Sequence, residues 1–341
     1  MPHDDSLKRI ERLARQSLRL WPVPDGAKVT LINVSENVTY RIESNGHLSI
    51  LRVHRAAYHT KRGIEQELAW SKALSDDGKV LAPSPIRGVN GELVQEVQST
   101  DLSERRFMVM FEFVKGRQPE ENEDLVERFE RLGAIAARTH IHSQNWFKPT
   151  PFERPLWNTE ALLGSKSNWG DWRHAPNVTP GIREVLEQVE ALLFLRLDAF
   201  GRGNDRYGLI HADMRLANLL IDGENTWLID FDDCGLGWFL YDFATSISFI
   251  ENHPQVPALR QAWIKGYRTV RPLSDSEDQE IDTFIMLRRM ALLAWIGSHI
   301  EAPEPQALAS HFAQGTERLG RAYLMKFSAM ADAPYTEAFR R

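Results

Sequence analysis

One cysteine, Cys234, is the only thiol in this 341-residue chain. No intrachain disulfide framework is possible, and a reducing, cytoplasmic setting is the default expectation. No stretch approaches the roughly 20 unbroken apolar residues of a membrane span. The charged start MPHDDSLKRIERLARQSLRLW has no apolar core of signal-peptide length. Basic charge is not in excess: 41 Lys and Arg stand against 47 Asp and Glu, a net charge of −6. Such a chain lacks the field of a general nucleic-acid or anionic-membrane binder. Internal repeats and low-complexity segments are also missing. What remains is a globular composition, 43% hydrophobic and 26% charged, with length for roughly two to three domains or lobes.

The hydrophobic pattern changes character near residue 115. Residues 5–20 carry Leu7, Ile10, Leu13, Ala14 and Leu18 at helical spacing. KVTLINV, VTYRIES and HLSILRVHR follow, the last two joined by Asn45-Gly46, and read as an antiparallel meander. A helix is expected over 61–74, then strands at SPIRGV and ELVQEV around Asn90-Gly91, then a last strand over 105–114. Helices are expected beyond it, over 121–143, 181–200, 239–251, 255–269, 275–300 and 306–330. One short β-like island, 209–233, lies among them. The expected layout is a small antiparallel β lobe with a helix, residues 1–111, and a larger, mostly helical lobe, residues 112–341.

The island carries the chemistry. His211-Ala212-Asp213-Met214-Arg215-Leu216-Ala217-Asn218 precedes the apolar LLI, the turn DGEN, the apolar WLI and Asp230-Phe231-Asp232-Asp233. A hairpin brings its open ends together, so Asp213, Asn218 and Asp230 are expected to converge. Phosphoryl transfer needs such a set: one carboxylate to accept the proton of an attacking hydroxyl, and a carboxylate with an amide oxygen to hold Mg²⁺ against phosphates. Asp213 precedes Asn218 by five residues, as the catalytic Asp precedes the metal-binding Asn in protein kinases.

With Asp230 ending the next strand and Tyr241-Asp242 beyond it, the chain resembles the aminoglycoside phosphotransferase and choline kinase-like family, over roughly residues 25–300. The resemblance implies an α+β, bilobal, protein-kinase-like fold. It makes Asp213 the catalytic base, Asn218 and Asp230 the Mg²⁺ ligands, and Arg215 a cation near the transferring phosphate. Salt-bridging of Arg215 to a loop carboxylate is an open alternative. His211 and Asp242 then support the catalytic loop. In the small lobe SILR stands where kinases carry VAIK, so Arg52 takes the place of the usual Lys. Its guanidinium is a wider, fixed fork. Glu67 is the best orienting partner for it, with Glu65 the second choice. The turn 35–38 has no glycine, so Ser35 and Asn37 are the candidates there for the phosphates of ATP. Backbone groups of Glu112 and Phe113 would meet the adenine.

The expected activity is ATP- and Mg²⁺-dependent phosphorylation of a hydroxyl on a small molecule such as an aminoglycoside, an amino alcohol or a homoserine-like compound. Asp230 and Tyr241 are 11 positions apart, too few for the long regulated loop of protein kinases. A protein Ser/Thr kinase of the bacterial stress-response type and a nucleotide-binding pseudokinase remain as alternatives. His140-Ile141-His142 lacks a third ligand at metal spacing and reads as structural. The acids after Ser274 read as a capped helix start. Trp169 and Trp172, in SNWGDWRH, are the tryptophans expected to line an acceptor pocket. Cys234 has no paired His and is not read as a nucleophile.

Overall fold

The structure, a computed structural model, describes residues 2–34, 37–98 and 104–331. These form two compact units interleaved along the chain. The first takes residues up to 119, 145–154 and 217–234; the second takes 120–144, 155–216 and 235 onward.

The first unit opens with α1 (Pro2–Ser17), followed by β1 (Lys28–Val34), β2 (Val38–Ser44), β3 (His47–Val53), α2 (Lys61–Asp76), β4 (Pro85–Ile86), β5 (Gln95–Gln98) and β6 (Arg105–Glu112). The strands make one six-stranded sheet in the order β1-β2-β3-β6-β4, with β5 also on β6. All pairings are antiparallel. Asn45 and Gly46 both hold positive φ, 50° and 78°. That is the two-residue turn whose twist suits a hairpin, and Ser44 pairs with His47 across it. Asn90-Gly91 behaves differently. The short strands on either side of it do not pair with each other; both add to β6, at opposite ends of one edge.

Strand alternation gives this sheet two buried faces. Tyr40, Ile42, Leu51, Val53, Met108 and Met110 pack with Ile10, Leu13 and Ala14 of α1 and with Trp21. On the opposite face Val109, flanked by Phe107 and Phe111, packs with Ile64 and Leu68 of α2. Arg52 lies between Leu51 and Val53, so it points to the α2 face.

The second unit contains α3 (Val126–Asn145), whose last residue falls in the first unit, β7 (Leu156–Trp157), α4 (Thr159–Leu163), α5 (Pro180–Phe200) and β8 (Tyr207–Ile210). The hairpin β9 (Leu219–Asp222) and β10 (Asn225–Leu228) belongs to the first unit, where Ile221 bridges to Arg117 and Trp227 to Leu81. The second unit resumes with β11 (Gly235–Trp238), α6 (Tyr241–Ser246), α7 (Val256–Arg268), α8 (Asp275–Ser298), α9 (Pro303–Ala309) and α10 (Phe312–Ala331). β11 pairs in parallel with β7 and antiparallel with β8. This small sheet was not expected from the sequence, because β7 and β11 are too short to carry an alternation.

The helix expected over 239–251 stops at Ser246, and the one expected over 306–330 is two, α9 and α10. Ser274 caps α8 as expected, in a reciprocal capping box with Glu277. No helix among the described residues is long and apolar enough to cross a membrane.

Candidate active site

A cavity of about 260 Å³ opens in the first unit, and Arg52, Glu67, Asn218, Asp230, Glu112 and Phe113 are among its lining residues. Arg52, 5% exposed, donates from Nη2 to Glu67 Oε1 at 2.6 Å and from Nη1 to Asp230 Oδ1 at 3.2 Å. Its guanidinium carbon lies 5.1 Å from the centre of the Phe111 ring. Burial works against this charge, but Glu67, Asp232 and Asp230 together raise the Arg52 pKa above its ordinary value. Glu67 is buried, while Glu65 is exposed and lies 3.8 Å from Lys61. The first choice of partner therefore meets the guanidinium.

Asn218 and Asp230 sit at the open end of the β9–β10 hairpin, and the amide of Ile229 donates to the carbonyl of Asn218 at 3.0 Å. Asp230 adopts a left-handed backbone, φ 59°. Four neighbours hold the segment after it. Arg154 reaches the carbonyl of Asp232, the carbonyl of Cys234 at 2.9 Å and that of Gly63 at 3.2 Å. His54 and His59 lie 3.4 and 3.5 Å from the Asp232 carboxylate, and Tyr58 donates to Asp233 at 3.5 Å. Burial would raise the Asp232 carboxyl, yet the two histidines and Arg52 hold it well below its ordinary value. Arg154 carries no motif and is found only by folding.

On the glycine-free turn, Ser35 lies outside the described residues. Asn37 is buried and accepts at Oδ1 from the Arg55 amide at 3.2 Å. The cavity wall nearby is Ile32, Asn33 and Thr39. Thr39 pairs with Arg52 in register and so shares its face; that pairing was the signal sequence reading missed. The amide of Glu112 is taken by the carbonyl of Ser84 at 2.9 Å.

In the second unit Asp242 is fully buried at the start of α6. Its carboxylate accepts the amide of Ala212 at 2.7 Å and that of His211 at 3.2 Å. Ala212 holds φ 66°, a conformation disfavoured for a residue with a Cβ, and these two bonds fix it. The Asp213 amide donates to His211 Nδ1 at 3.2 Å, so His211 shapes the loop. His140 bonds Asp242 through Nε2 at 3.0 Å and the Tyr267 hydroxyl through Nδ1 at 2.9 Å. Burial pushes the Tyr267 phenol up, so it stays protonated and can donate to His140.

Asp213 itself accepts from Arg288 at 2.8 Å, and its other oxygen lies 3.5 Å from Arg215. Arg215 also pairs with Glu304 at 2.9 Å and lies 5.7 Å from the Phe249 ring centre. Arg215 is thus paired with carboxylates, but the shorter pairing is with Glu304 in the first turn of α9 rather than with a loop residue. Trp169 lies 5.3 Å from the Arg288 guanidinium. Trp172 is 1% exposed, with its indole bonded to Glu190 at 2.9 Å; it belongs to the core, not to a pocket wall.

The chain as a whole is similar to known proteins. The sequence profile of the phosphotransferase enzyme family (APH) matches residues 28–275. The solved structure of a microcompartment-associated aminopropanol kinase superposes with a TM-score of 0.86 at 41% identity, covering 92% of this chain and 98% of that one. The amicoumacin kinase of Bacillus subtilis (strain 168) is 24% identical over 276 residues, 78% of each chain. A homoserine kinase of Gluconobacter oxydans (strain 621H) is 29% identical over 185 residues, 50% of this chain and 55% of that protein. The α+β architecture is the protein-kinase-like fold also seen in spectinomycin phosphotransferase and in a choline/ethanolamine kinase family protein.

The chain belongs to the phosphotransferase enzyme family. It is a kinase whose acceptor is a hydroxyl group of a small molecule.

Proposed function

We propose that the protein transfers the γ-phosphoryl group of ATP, with Mg²⁺, to the hydroxyl of a small amino alcohol. The observation that carries this reading is a cavity lined by Arg52, Glu67, Asn218 and Asp230 together. Arg52 offers a guanidinium for phosphates, and Asp230 and Asn218 offer a carboxylate and an amide oxygen for a metal ion. Among the described residues no three His, Cys, Asp or Glu gather as a metal cage. Two hard oxygen donors fit an ion that takes its other ligands from phosphates and water, as Mg²⁺ does. When bound, the ion would neutralise charge on the phosphates.

Arg52 orients the phosphates, and Glu67 fixes Arg52. Asn33, Thr39 and the backbone near Asn37 close over them, with Ser35 a further candidate. The carbonyl of Glu112 and the backbone of Phe113 meet the adenine edge. Asp213 accepts the proton of the attacking hydroxyl, and Arg215 supplies positive charge near the transferred group. The amino alcohol is favoured because the 41%-identical structure is of an aminopropanol kinase. The interval from Asp230 to Tyr241 holds a 3₁₀ turn and β11, which leaves no room for a long regulated segment and favours a small acceptor over a protein. The net charge of −6 disfavours nucleic acid as a partner, and a cytoplasmic site of action fits the single free thiol.

The test is ADP release with ATP and Mg²⁺ over aminopropanol, choline, homoserine and an aminoglycoside. Turnover is expected to be highest with aminopropanol. A thermal shift given by ATP only with Mg²⁺ should vanish in Asp230→Ala, and a shift that survives rejects the metal assignment.

A further inference from the structure

Helix α8 is buried along most of its length, yet carries two adjacent guanidiniums in its middle, Arg288 at 3% exposure and Arg289 at 2%. Burying a charge costs several kcal/mol unless it is paired and hydrogen-bonded, so each needs a reason. Consecutive helix residues project about 100° apart, and the two serve different neighbourhoods.

Arg289 is a staple. It pairs with Glu251 at 2.6 Å, donates to Thr316 Oγ1 at 2.9 Å and to the Phe312 carbonyl at 3.2 Å, and lies over the Phe312 ring. Those contacts tie α8 to α10 and account for it fully.

Arg288 pairs with the carboxylate of Asp213, 75 positions earlier in the chain. Nη2 donates to Asp213 Oδ1 at 2.8 Å, and Nε donates to Ser248 Oγ at 3.0 Å. The Trp169 and Tyr241 rings, with centres 5.3 and 5.9 Å away, flank the guanidinium. A fork fixed by a hydroxyl and two rings has little freedom to leave.

The backbone of Asp213 is set separately, by His211 and Asp242. Its carboxylate side chain, only 16% exposed, has two equivalent oxygens unless something distinguishes them. Arg288 does so with a short, charge-assisted bond to Oδ1. Oδ2 lies 3.5 Å from Arg215 Nε, a longer approach than the bond to Oδ1.

We infer that Arg288 is a positioning residue for phosphoryl transfer: through its bond to Oδ1 it fixes the orientation of the Asp213 carboxylate. This rests on Asp213 being the base. In the step, the acceptor O–H bond breaks and its proton goes to the Asp213 carboxylate. The acceptor oxygen's electron pair forms the new O–P bond, the bond from the γ-phosphorus to the β–γ bridging oxygen breaks, and ADP leaves with that electron pair.

The test compares Arg288→Met, Arg288→Lys, Asp213→Asn and the double variant Asp213→Asn/Arg288→Met. ADP release is read with ATP, Mg²⁺ and aminopropanol, or with water as acceptor if aminopropanol is not taken. Arg288→Met should lower kcat about a hundredfold, the scale of a misplaced catalytic group, with KM for ATP within twofold. Arg288→Lys should restore at least a tenth of the wild-type kcat. The double variant should be no slower than Asp213→Asn, because Arg288 acts only through Asp213. Arg288→Met within threefold of wild type overturns the inference, and so does a double variant slower again by the full Arg288→Met factor. If Arg288→Met does not fold, the double variant, which leaves no unpaired charge, decides by the same comparison. Turnover surviving in Asp213→Asn at the wild-type rate instead rejects the base assignment.

Discussion

Arg52 on β3 and Glu67 on α2 meet at 2.6 Å, both buried, and the second fork nitrogen of Arg52 reaches Asp230 at 3.2 Å. One planar group thereby spans two carboxylates. A lysine ammonium is a compact point charge and cannot reproduce that fork. Glu67 also faces a desolvated cation, so its removal leaves charge buried.

Glu67→Gln and Arg52→Lys should therefore both weaken nucleotide binding, although the second keeps the charge. Each is expected to raise the Kd for ATP with Mg²⁺ at least fivefold by isothermal titration calorimetry. Arg52→Ala should raise it further. An unchanged Kd in Arg52→Lys would mean the fork itself is not used.

Helices α3 and α7 cross at two glycines. A Cβ on Gly133 would lie 2.0 Å from the carbonyl oxygen of Trp263, and one on Gly266 would lie 1.7 Å from that of Glu130. Both obstacles are backbone, so the helices must move apart. Gly133→Ala or Gly266→Ala should cost about 3 kcal/mol, the upper part of the overpacking range. The double variant should cost less than the sum, since one separation relieves both clashes. Urea unfolding measures this; a loss under 0.5 kcal/mol, roughly the scatter of neutral surface changes, would refute the close approach.

His140 is buried, and that burial lowers its pKa below the ordinary histidine value. In the unfolded chain the imidazole takes up a proton as pH falls through about 6.5; in the folded chain burial moves that uptake to lower pH. The unfolded state then binds more protons, so stability should fall as pH drops below about 6.5, by at most about 1.4 kcal/mol per unit from this group. His140→Gln should be less stable at pH 7.5 and should lose part of that pH dependence. Thermal unfolding from pH 5 to 7.5 gives the comparison. A slope unchanged by the substitution would place the proton uptake elsewhere.

Cys234 is fully buried, and burial pushes its thiol pKa up to about 12. The thiolate is the reactive form. A disulfide reagent at pH 8 should label the native protein very slowly and the urea-unfolded protein at once. Fast native labelling would require the segment after Asp230 to open readily.

Much of the cavity was legible because its signals are local. Alternation in SILR puts Arg52 on one face, helical spacing puts Glu67 rather than Glu65 inward, and a tight turn brings Asn218 and Asp230 to one end of a hairpin. The misses have physical causes too. Trp172 lies in a polar, glycine-containing loop that suggested a pocket wall, but its ring is core and its one polar atom is satisfied by Glu190. Asn37 is not among the residues lining the cavity, and its side chain accepts from the Arg55 amide. The strands beside Asn90-Gly91 pair with β6 because the partner of a short strand is set by the open sheet edge, not by the nearest turn.

By itself the sequence determined most of the longer elements, the hairpin and the residue types of the cavity, since periodicity, turn chemistry and five-residue spacing act over a few neighbours. Only the tertiary structure decided that Arg288 pairs with Asp213, that Arg154 clasps the segment after Asp230, and that Gly133 and Gly266 let two helices touch. Those contacts join residues dozens of positions apart, and nothing in local preference says which buried charge will meet which partner once the core has closed.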